Sequence, residues 1–211
     1  MVNNTEKLQL DNLRKELKFI LPNHQLTHYR NLIQQLGWSE RYPMRNVYSI
    51  YFDTIENDML FDSIHGLSKR EKIRLRYYNN YSDIHFERKI KIDTYGYKIK
   101  KIYSTLKKID NNSLIQIALE TTDWVGHKMF PASHVNYQRY YYDNLNNNVR
   151  ITFDTNIQTK DLQNLEHRNL KNYCICEVKI GINQICNLPF NLMPSRFSKY
   201  AFSRVGNDSN Y

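Results

Sequence analysis

KIRLRYY (Lys72–Tyr78) and the following IHFERKIKI (Ile84–Ile92) change character at every residue. That period of two is the mark of a β-strand. In the first stretch Arg74 and Arg76 share one face, and Ile73, Leu75 and Tyr77 take the other. In the second, Glu87 and Lys89 share a face, with Phe86, Arg88 and Ile90 opposite. The polar phase is ionic and mainly cationic, unlike the mixture of Ser, Thr, Gln and both charges found on most solvent-facing sheets.

The same alternation recurs along the chain. Leu13 to Leu21 carries Glu16 and Lys18 in one phase, and Asn46 to Asp53 is strand-like. Tyr97 to Tyr103 carries Lys98 and Lys100, and Val135 to Tyr142 carries Tyr137 and Arg139. Val149 to Asp154 carries Arg150, Thr152 and Asp154. Tyr173 to Ile180 carries Glu177 and Lys179, opposite Cys176, Val178 and Ile180. Helical spacing predicts Leu26 to Leu36, with Thr27 or Asn23 as cap. Short helices are expected at Asn57 to Ile64, ended by Gly66, and at Leu114 to Leu119, with a closing helix over Arg196 to Arg204. About eight strands joined by short turns and a few helices suit a closed antiparallel barrel. The fold class expected is therefore α+β, mainly antiparallel β: an eight-stranded closed tunnel with flanking helices. The 211 residues suit one domain, placed at 13–206 between a flexible 1–12 and a tail at 207–211.

The chain has 30 basic and 21 acidic side chains, a formal net charge of +9. That excess implies an anionic partner: nucleic acid, an acidic membrane surface or a phosphorylated small molecule. A nucleic-acid binder should gather its bases in an external patch with exposed aromatics. Here the bases follow strand alternation instead. Taken strand by strand, a charged phase reads as a solvated outer face. Like charges on neighbouring strands repel, however, unless an anion lies between them. Turned inward, the basic phase makes a cationic tunnel in which a low dielectric strengthens each contact to a phosphate oxygen. The interleaved carboxylates suit Mg²⁺ or Mn²⁺.

Cys174, Cys176 and Cys186 are an odd number and poorly spaced for a zinc site, so free thiols in a reducing, cytoplasmic setting are expected. The polar stretch Met1–Asp11 does not read as a signal peptide, and no run of about 18 apolar residues offers a membrane span. His85, His127 and His134 have no spacing that suggests a site, and Tyr140, Tyr141 and Tyr142 read as packing.

An ordered series of segments carries a resemblance: RKELKF (Arg14–Phe19), SIYFDT (Ser49–Thr54), KIRLRYY, FERK (Phe86–Lys89), GYKIK (Gly96–Lys100), VNYQRYYYD (Val135–Asp143), RITFDT (Arg150–Thr155), CEVKI (Cys176–Ile180) and SRFSKY (Ser195–Tyr200). The chain resembles the CYTH-like triphosphate tunnel metalloenzyme superfamily and, within it, the VTC-type polyphosphate polymerase domain. Where the superfamily often has Glu-x-Glu-x-Lys on the first strand, this chain has Arg14, Glu16 and Lys18, which suits the VTC branch.

The resemblance implies an eight-stranded tunnel holding ATP and polyphosphate or triphosphate, with the γ-phosphate passed to a growing polyphosphate. It implies phosphate contacts from Lys18, Arg74, Arg76, Lys89, Lys98 or Lys100, Tyr137, Arg139, Arg150, Arg196, Ser198 and Lys199. Of these, Arg74, Arg76, Lys89, Arg139 and Arg150 are expected, with Glu177, to carry the chemistry. Glu177 matches the family's metal-binding glutamate, and Glu16 or Glu87 is expected to assist it in holding Mn²⁺ or Mg²⁺. Two rivals on the same scaffold are a triphosphate or nucleoside-triphosphate hydrolase and a non-catalytic polyphosphate-binding module.

Overall fold

A computed structural model describes residues 13–103, 109–144, 149–181, 188 and 192–206. The expected flexible start, the tail and Cys186 lie outside the described residues. Among the described residues nine strands form in chain order. They are β1 (Arg14–Pro22), β2 (Ser39–Asp53), β3 (Lys69–Tyr78), β4 (Asn80–Ile92), β5 (Tyr95–Tyr103), β6 (Phe130–Asn144), β7 (Val149–Asp161), β8 (His167–Leu170) and β9 (Tyr173–Gly181). The helices are α1 (Leu26–Gln35), α2 (Asp58–His65), α3 (Asn111–Val125) and α4 (Lys199–Val205), with a 3₁₀ turn at Asn23–Gln25 before α1. Among the described residues no helix is long and apolar enough to cross a membrane.

The strands pair in the order β6-β2-β3-β4-β5-β1-β9-β7, and β7 pairs again with β6, so eight strands close into a ring of antiparallel neighbours. β8 adds to the free side of β7 outside that ring. The eight expected strands are the eight of the ring; β8 was not among them. Two ring strands run well past their expected limits. β2 begins at Ser39 and passes Pro43 between register shifts at Glu40/Tyr42 and Tyr42/Arg45, the irregular setting in which a strand accepts proline. β7 runs on to Asp161, beyond a shift between Asn136 and Gln138 on its partner and a positive φ of 50° at Asn156.

Apolar residues of alternate phase cover the outside of the ring. α1 places Ile33 over Phe19, Leu21, Phe153, Cys174 and Cys176. Those two cysteines are buried free thiols, and burial pushes Cys174 up to about 12. α2 and α3 cover β2, β3 and β4, where the Phe86 ring meets Phe52 and Trp124 at tilted angles of 52° and 44°. α3 is longer than expected because Asp110 caps it, accepting from Ser113 N at 2.9 Å. α1 has no side-chain cap, so neither Thr27 nor Asn23 plays that part.

α4 sits across one end of the ring. Its Tyr200 stacks on the inward-facing Tyr51 at 5.1 Å, and Phe197, Ala201 and Phe202 pack with Ile175 and Tyr137. Buried Asp53 ties this end together. It accepts from Met59 N and Leu60 N, both at 3.0 Å, at the start of α2, from Thr54 N at 2.8 Å, and from the Tyr200 hydroxyl. A carboxylate there also meets the positive end of the helix dipole.

The ring has one thin seam. β1 meets β9 through nine residue pairs but β5 through only two, Arg14↔Gly96 and Lys15↔Tyr95. Beyond them the exposed side of β1 is taken by the segment before α4: Ser195 N donates to the Lys18 carbonyl at 2.7 Å. That segment then crosses to β3, where Lys72 Nζ donates to Ser198 Oγ at 2.6 Å.

Candidate anion-binding tunnel

The basic strand phase faces into the ring, where three connected groups of charges form. On one wall Glu87 of β4 accepts from Arg74 Nε and Nη2 at 2.8 and 2.6 Å and from Lys98 Nζ at 2.8 Å. Arg76 and Lys100 stand at 3.8 and 4.0 Å from the same carboxylate. On the facing wall Arg139 of β6 forms a two-pronged pair with Asp154, at 2.5 and 2.6 Å, and reaches Glu177 at 3.4 Å. Lys199 of α4 also reaches Asp154, at 2.5 Å, and Lys179 reaches Glu177 at 3.3 Å. Between the walls Lys89 bonds to Glu16. Tyr51 and Tyr137 turn their hydroxyls to Arg74 and Arg76 at 3.2 and 3.1 Å. Register sets part of this network. Arg74 lies opposite Glu87, Arg139 opposite Asp154 and Lys18 opposite Glu177.

Cations outnumber carboxylates here, and two of them find only neutral oxygen. Lys18 Nζ donates to the Phe197 carbonyl at 2.8 Å and Lys72 to the Ser198 hydroxyl. Burial, with Lys89 and Lys199, lowers Lys18 to about 8 despite Glu177 and Glu16. Burial and four surrounding cations, Lys18, Lys89, Arg70 and Lys91, hold Lys72 well below the ordinary lysine range. Burial, Arg74 and Lys100 bring Lys98 to about 7 in spite of Glu87. The carboxylates shift the other way. Burial works to raise Glu177, but Lys179, Arg139, Lys89 and Lys18 overrule it and keep it well below the usual range. For Glu16, burial and Glu177 push up while Lys89, Lys179 and Lys18 pull harder, to about 2.

Of the residues expected to form the site, Lys18, Arg74, Arg76, Lys89, Lys98, Lys100, Tyr137, Arg139, Lys199, Glu16, Glu87 and Glu177 belong to this inward network. Arg150 stands at one mouth, paired to Asp143 at 2.8 Å beside Arg41, Arg14 and Lys179. Ser198 is buried but occupied, capping α4 through Ala201 N at 3.2 Å while it accepts from Lys72. Arg196 is exposed, in the extended segment ahead of α4; its guanidinium lies by Gly66, and Arg70 and Lys91 feel its charge. The helix begins at Lys199, three residues later than expected, which puts Arg196 off its face. Lys72, Lys179, Asp143, Asp154 and Tyr51 complete the network; Lys179 and Asp154 stand in the charged strand phase but were not among the expected site residues, and Lys72, Asp143 and Tyr51 were not singled out. Lys72 is two residues before Arg74, so strand phase alone could have found it.

Glu177 is close enough to raise the pKa of Glu16 and of Asp154. Both Glu87 oxygens are taken by cations at 2.6–2.8 Å, tighter than the 3.3 and 3.4 Å at which Lys179 and Arg139 stand from Glu177. Among the described residues no group of three or more His, Cys, Asp or Glu could hold a metal by itself. One or two carboxylates sharing an ion with ligand oxygens and water is the arrangement Mg²⁺ favours over an all-protein cage, so this donor set fits such an ion.

A family model described as VTC domain matches residues 13–204. None of the curated proteins compared with the chain matches it. Among solved structures, a protein from Vibrio parahaemolyticus proposed to be an adenylate cyclase superposes with a TM-score of 0.51 at 13% identity, over 82% of this chain and 78% of that one. A protein from Hippeastrum, proposed to be an adenylyl cyclase and described as having dominant triphosphatase activity, gives 0.47 at 11% identity over 79% and 78%.

Proposed function

The chain belongs to the VTC domain family, and from that premise we propose that its tunnel binds the triphosphate of ATP and passes the γ-phosphate to the end of an inorganic polyphosphate. The observation that carries this reading is the surplus of enclosed cations, above all Lys18 and Lys72, whose ammonium groups hydrogen-bond to neutral oxygens and not to a carboxylate among the described residues. A chain of phosphates supplies that missing charge in the right form.

Phosphoryl transfer asks a protein mainly for alignment and charge neutralisation. Arg74, Arg76 and Lys98 on one wall and Arg139 and Lys199 on the other would hold the two phosphate chains in line. The bond from the γ-phosphorus to the β,γ-bridging oxygen breaks and ADP leaves. A terminal oxygen of the acceptor chain forms the new P–O–P link, and no covalent enzyme intermediate is needed. Glu177 and Glu16 would hold a divalent ion, Mn²⁺ or Mg²⁺, which when bound with the triphosphate spreads its developing negative charge. Glu87 remains with its cations, keeping them fixed and mutually tolerant.

Incubation of the purified protein with ATP and Mn²⁺ or Mg²⁺, with and without a short polyphosphate primer, is expected to give chains longer than the primer on a resolving gel. Orthophosphate alone would make the protein a hydrolase, and ADP formation absent under every condition would make it a binding module.

Binding should also take up protons. Lys18, Lys72 and Lys98 have folded-state values below the ordinary 10.5, and an anion beside them restores their charge. Affinity for tripolyphosphate is therefore expected to fall as pH rises from about 7 towards 10. By the same sign, the unfolded chain holds more protons than the ligand-free fold in that window, so ligand-free stability should rise with pH there. Calorimetry of tripolyphosphate binding at pH 8, in two buffers of different ionisation enthalpy, measures the uptake directly. A heat independent of the buffer would contradict it.

A further inference from the structure

Among the described residues seven buried side-chain polar atoms have no hydrogen-bond partner, and three of them, Ser49 Oγ, Arg76 Nε and His85 Nδ1, lie on adjacent strands. They are not scattered. Ser49 lies directly opposite Arg76 across β2 and β3, and Arg76 directly opposite His85 across β3 and β4. Residues so opposed hold their Cβ atoms about 4.5–5.5 Å apart, so the three side chains form one transverse row. The row faces the tunnel. Arg76 Nη2 donates to Tyr137, Ser49 is in step with Tyr51 two residues on, and His85 is in step with Glu87.

The next row along differs at the guanidinium. Tyr51 and Glu87 both bond to Arg74, and Arg74 Nε is satisfied by the Glu87 carboxylate, although Ser133 Oγ, opposite Tyr51 on β6, is also without a partner among the described residues. In the Ser49 row no carboxylate bonds to Arg76 Nε, although Ser49 is fully buried and Arg76 is 4% exposed. Native folds rarely leave buried polar atoms unpaired, and several of them in register on neighbouring strands call for an absent partner. All three atoms can donate: the guanidinium Nε–H always, the hydroxyl by rotation, and the imidazole nitrogen when it carries the hydrogen. A row of donors lacking an acceptor is the complement of an oxyanion.

We propose that Ser49, Arg76 and His85 form an oxyanion subsite one row beyond the Arg74–Glu87 pair, which receives a phosphate group of the bound chain. This rests on the phosphate-chain reading of the tunnel and adds Ser49 and His85 to the residues that touch substrate. Arg76 supplies charge there. Ser49 and His85 supply direction, fixing where along the tunnel the phosphate comes to rest. The Tyr78 ring, 5.0 Å from the Arg76 guanidinium, backs the subsite.

The test uses sodium tripolyphosphate as probe, with calorimetry for affinity and thermal melting of the ligand-free protein for the fold. Ser49→Ala and His85→Leu are each expected to weaken binding roughly tenfold, the usual effect of a lost hydrogen bond to a charged group. His85→Asn, which returns an amide N–H near the position of Nδ1, should recover most of the loss. The ligand-free melting temperature of Ser49→Ala should not fall, because the hydroxyl removed has no partner to lose. Wild-type protein that binds, with Ser49→Ala and His85→Leu binding equally well, overturns this subsite alone. Wild-type protein that does not bind tripolyphosphate overturns the phosphate-chain reading and the subsite with it. A lowered melting temperature in Ser49→Ala with unchanged affinity would give the row a purely structural role.

Discussion

Glu177→Gln is expected to reduce metal-dependent turnover of ATP by about 10²–10³-fold while tripolyphosphate binding stays as tight as before or tightens. The side chain sits among Lys179, Arg139, Lys89 and Lys18, and all four act to keep it ionised. The amide keeps the shape and loses the charge. What disappears is the anchor for a divalent ion. What remains is a tunnel with a larger positive surplus, which favours an anion. Single-turnover rates together with binding isotherms separate the two effects. Normal turnover would remove Glu177 from the chemistry; loss of binding and turnover together would make it a structural counter-ion.

Arg139→Met should act mainly on the fold, lowering stability by about 3–5 kcal/mol at neutral pH. Asp154 is fully buried, and its two-pronged bond to Arg139 is its chief compensation, with Lys199 as the second. Burial works to raise the Asp154 pKa, and Arg139 and Lys199 hold it below the usual range. In the wild type this carboxylate stabilises the fold above pH about 4, and the contribution disappears as pH falls through the lower folded-state value. In the variant, burial wins and the pKa rises. Protonation then relieves the fold, so the deficit relative to wild type should shrink between pH 7 and pH 5. Urea denaturation at the two pH values measures this. Arg139→Met combined with Asp154→Leu should recover much of the loss, because it removes the stranded charge. A deficit that is small and independent of pH would show that Arg139 matters little to the fold.

Strand phase made much of this tunnel legible in advance. Because side chains alternate with period two, Arg74 and Arg76 in RLR, Glu87 and Lys89 in FERK, and Glu177 and Lys179 in CEVK are each committed to one face. Closing the ring then leaves only the question of which face is inside. The apolar opposite phase, Ile73, Leu75 and Tyr77 or Cys176, Val178 and Ile180, answers it by needing the helices. What stayed hidden depended on partners distant in sequence or on local breaks. Pro43 reads as a strand terminator, yet bulges let β2 run past it. HRNL in β8 has no alternation and is a strand only because β7 offers an edge. SRFSKY reads as continuous helix until Ser198 is seen to cap it, and that single cap moves Arg196 to the surface. His85 lacked any motif, and its place became visible only when Arg76 and Ser49 were found beside it.

The thin seam has a bearing on how the chain is made. β1 is the first strand of the ring to be synthesised, but its long ladder is with β9, some 160 residues later, and its other edge waits for Ser195. A nascent chain leaving the ribosome therefore carries an unpaired edge until β9 and Ser195 have been made. Contacts so far apart in sequence make folding slow, and open edges of that kind invite pairing between molecules. Molecules cut short before Ser195 should accumulate as aggregates, and a cell producing this protein would need its chaperones most until β9 and Ser195 have emerged.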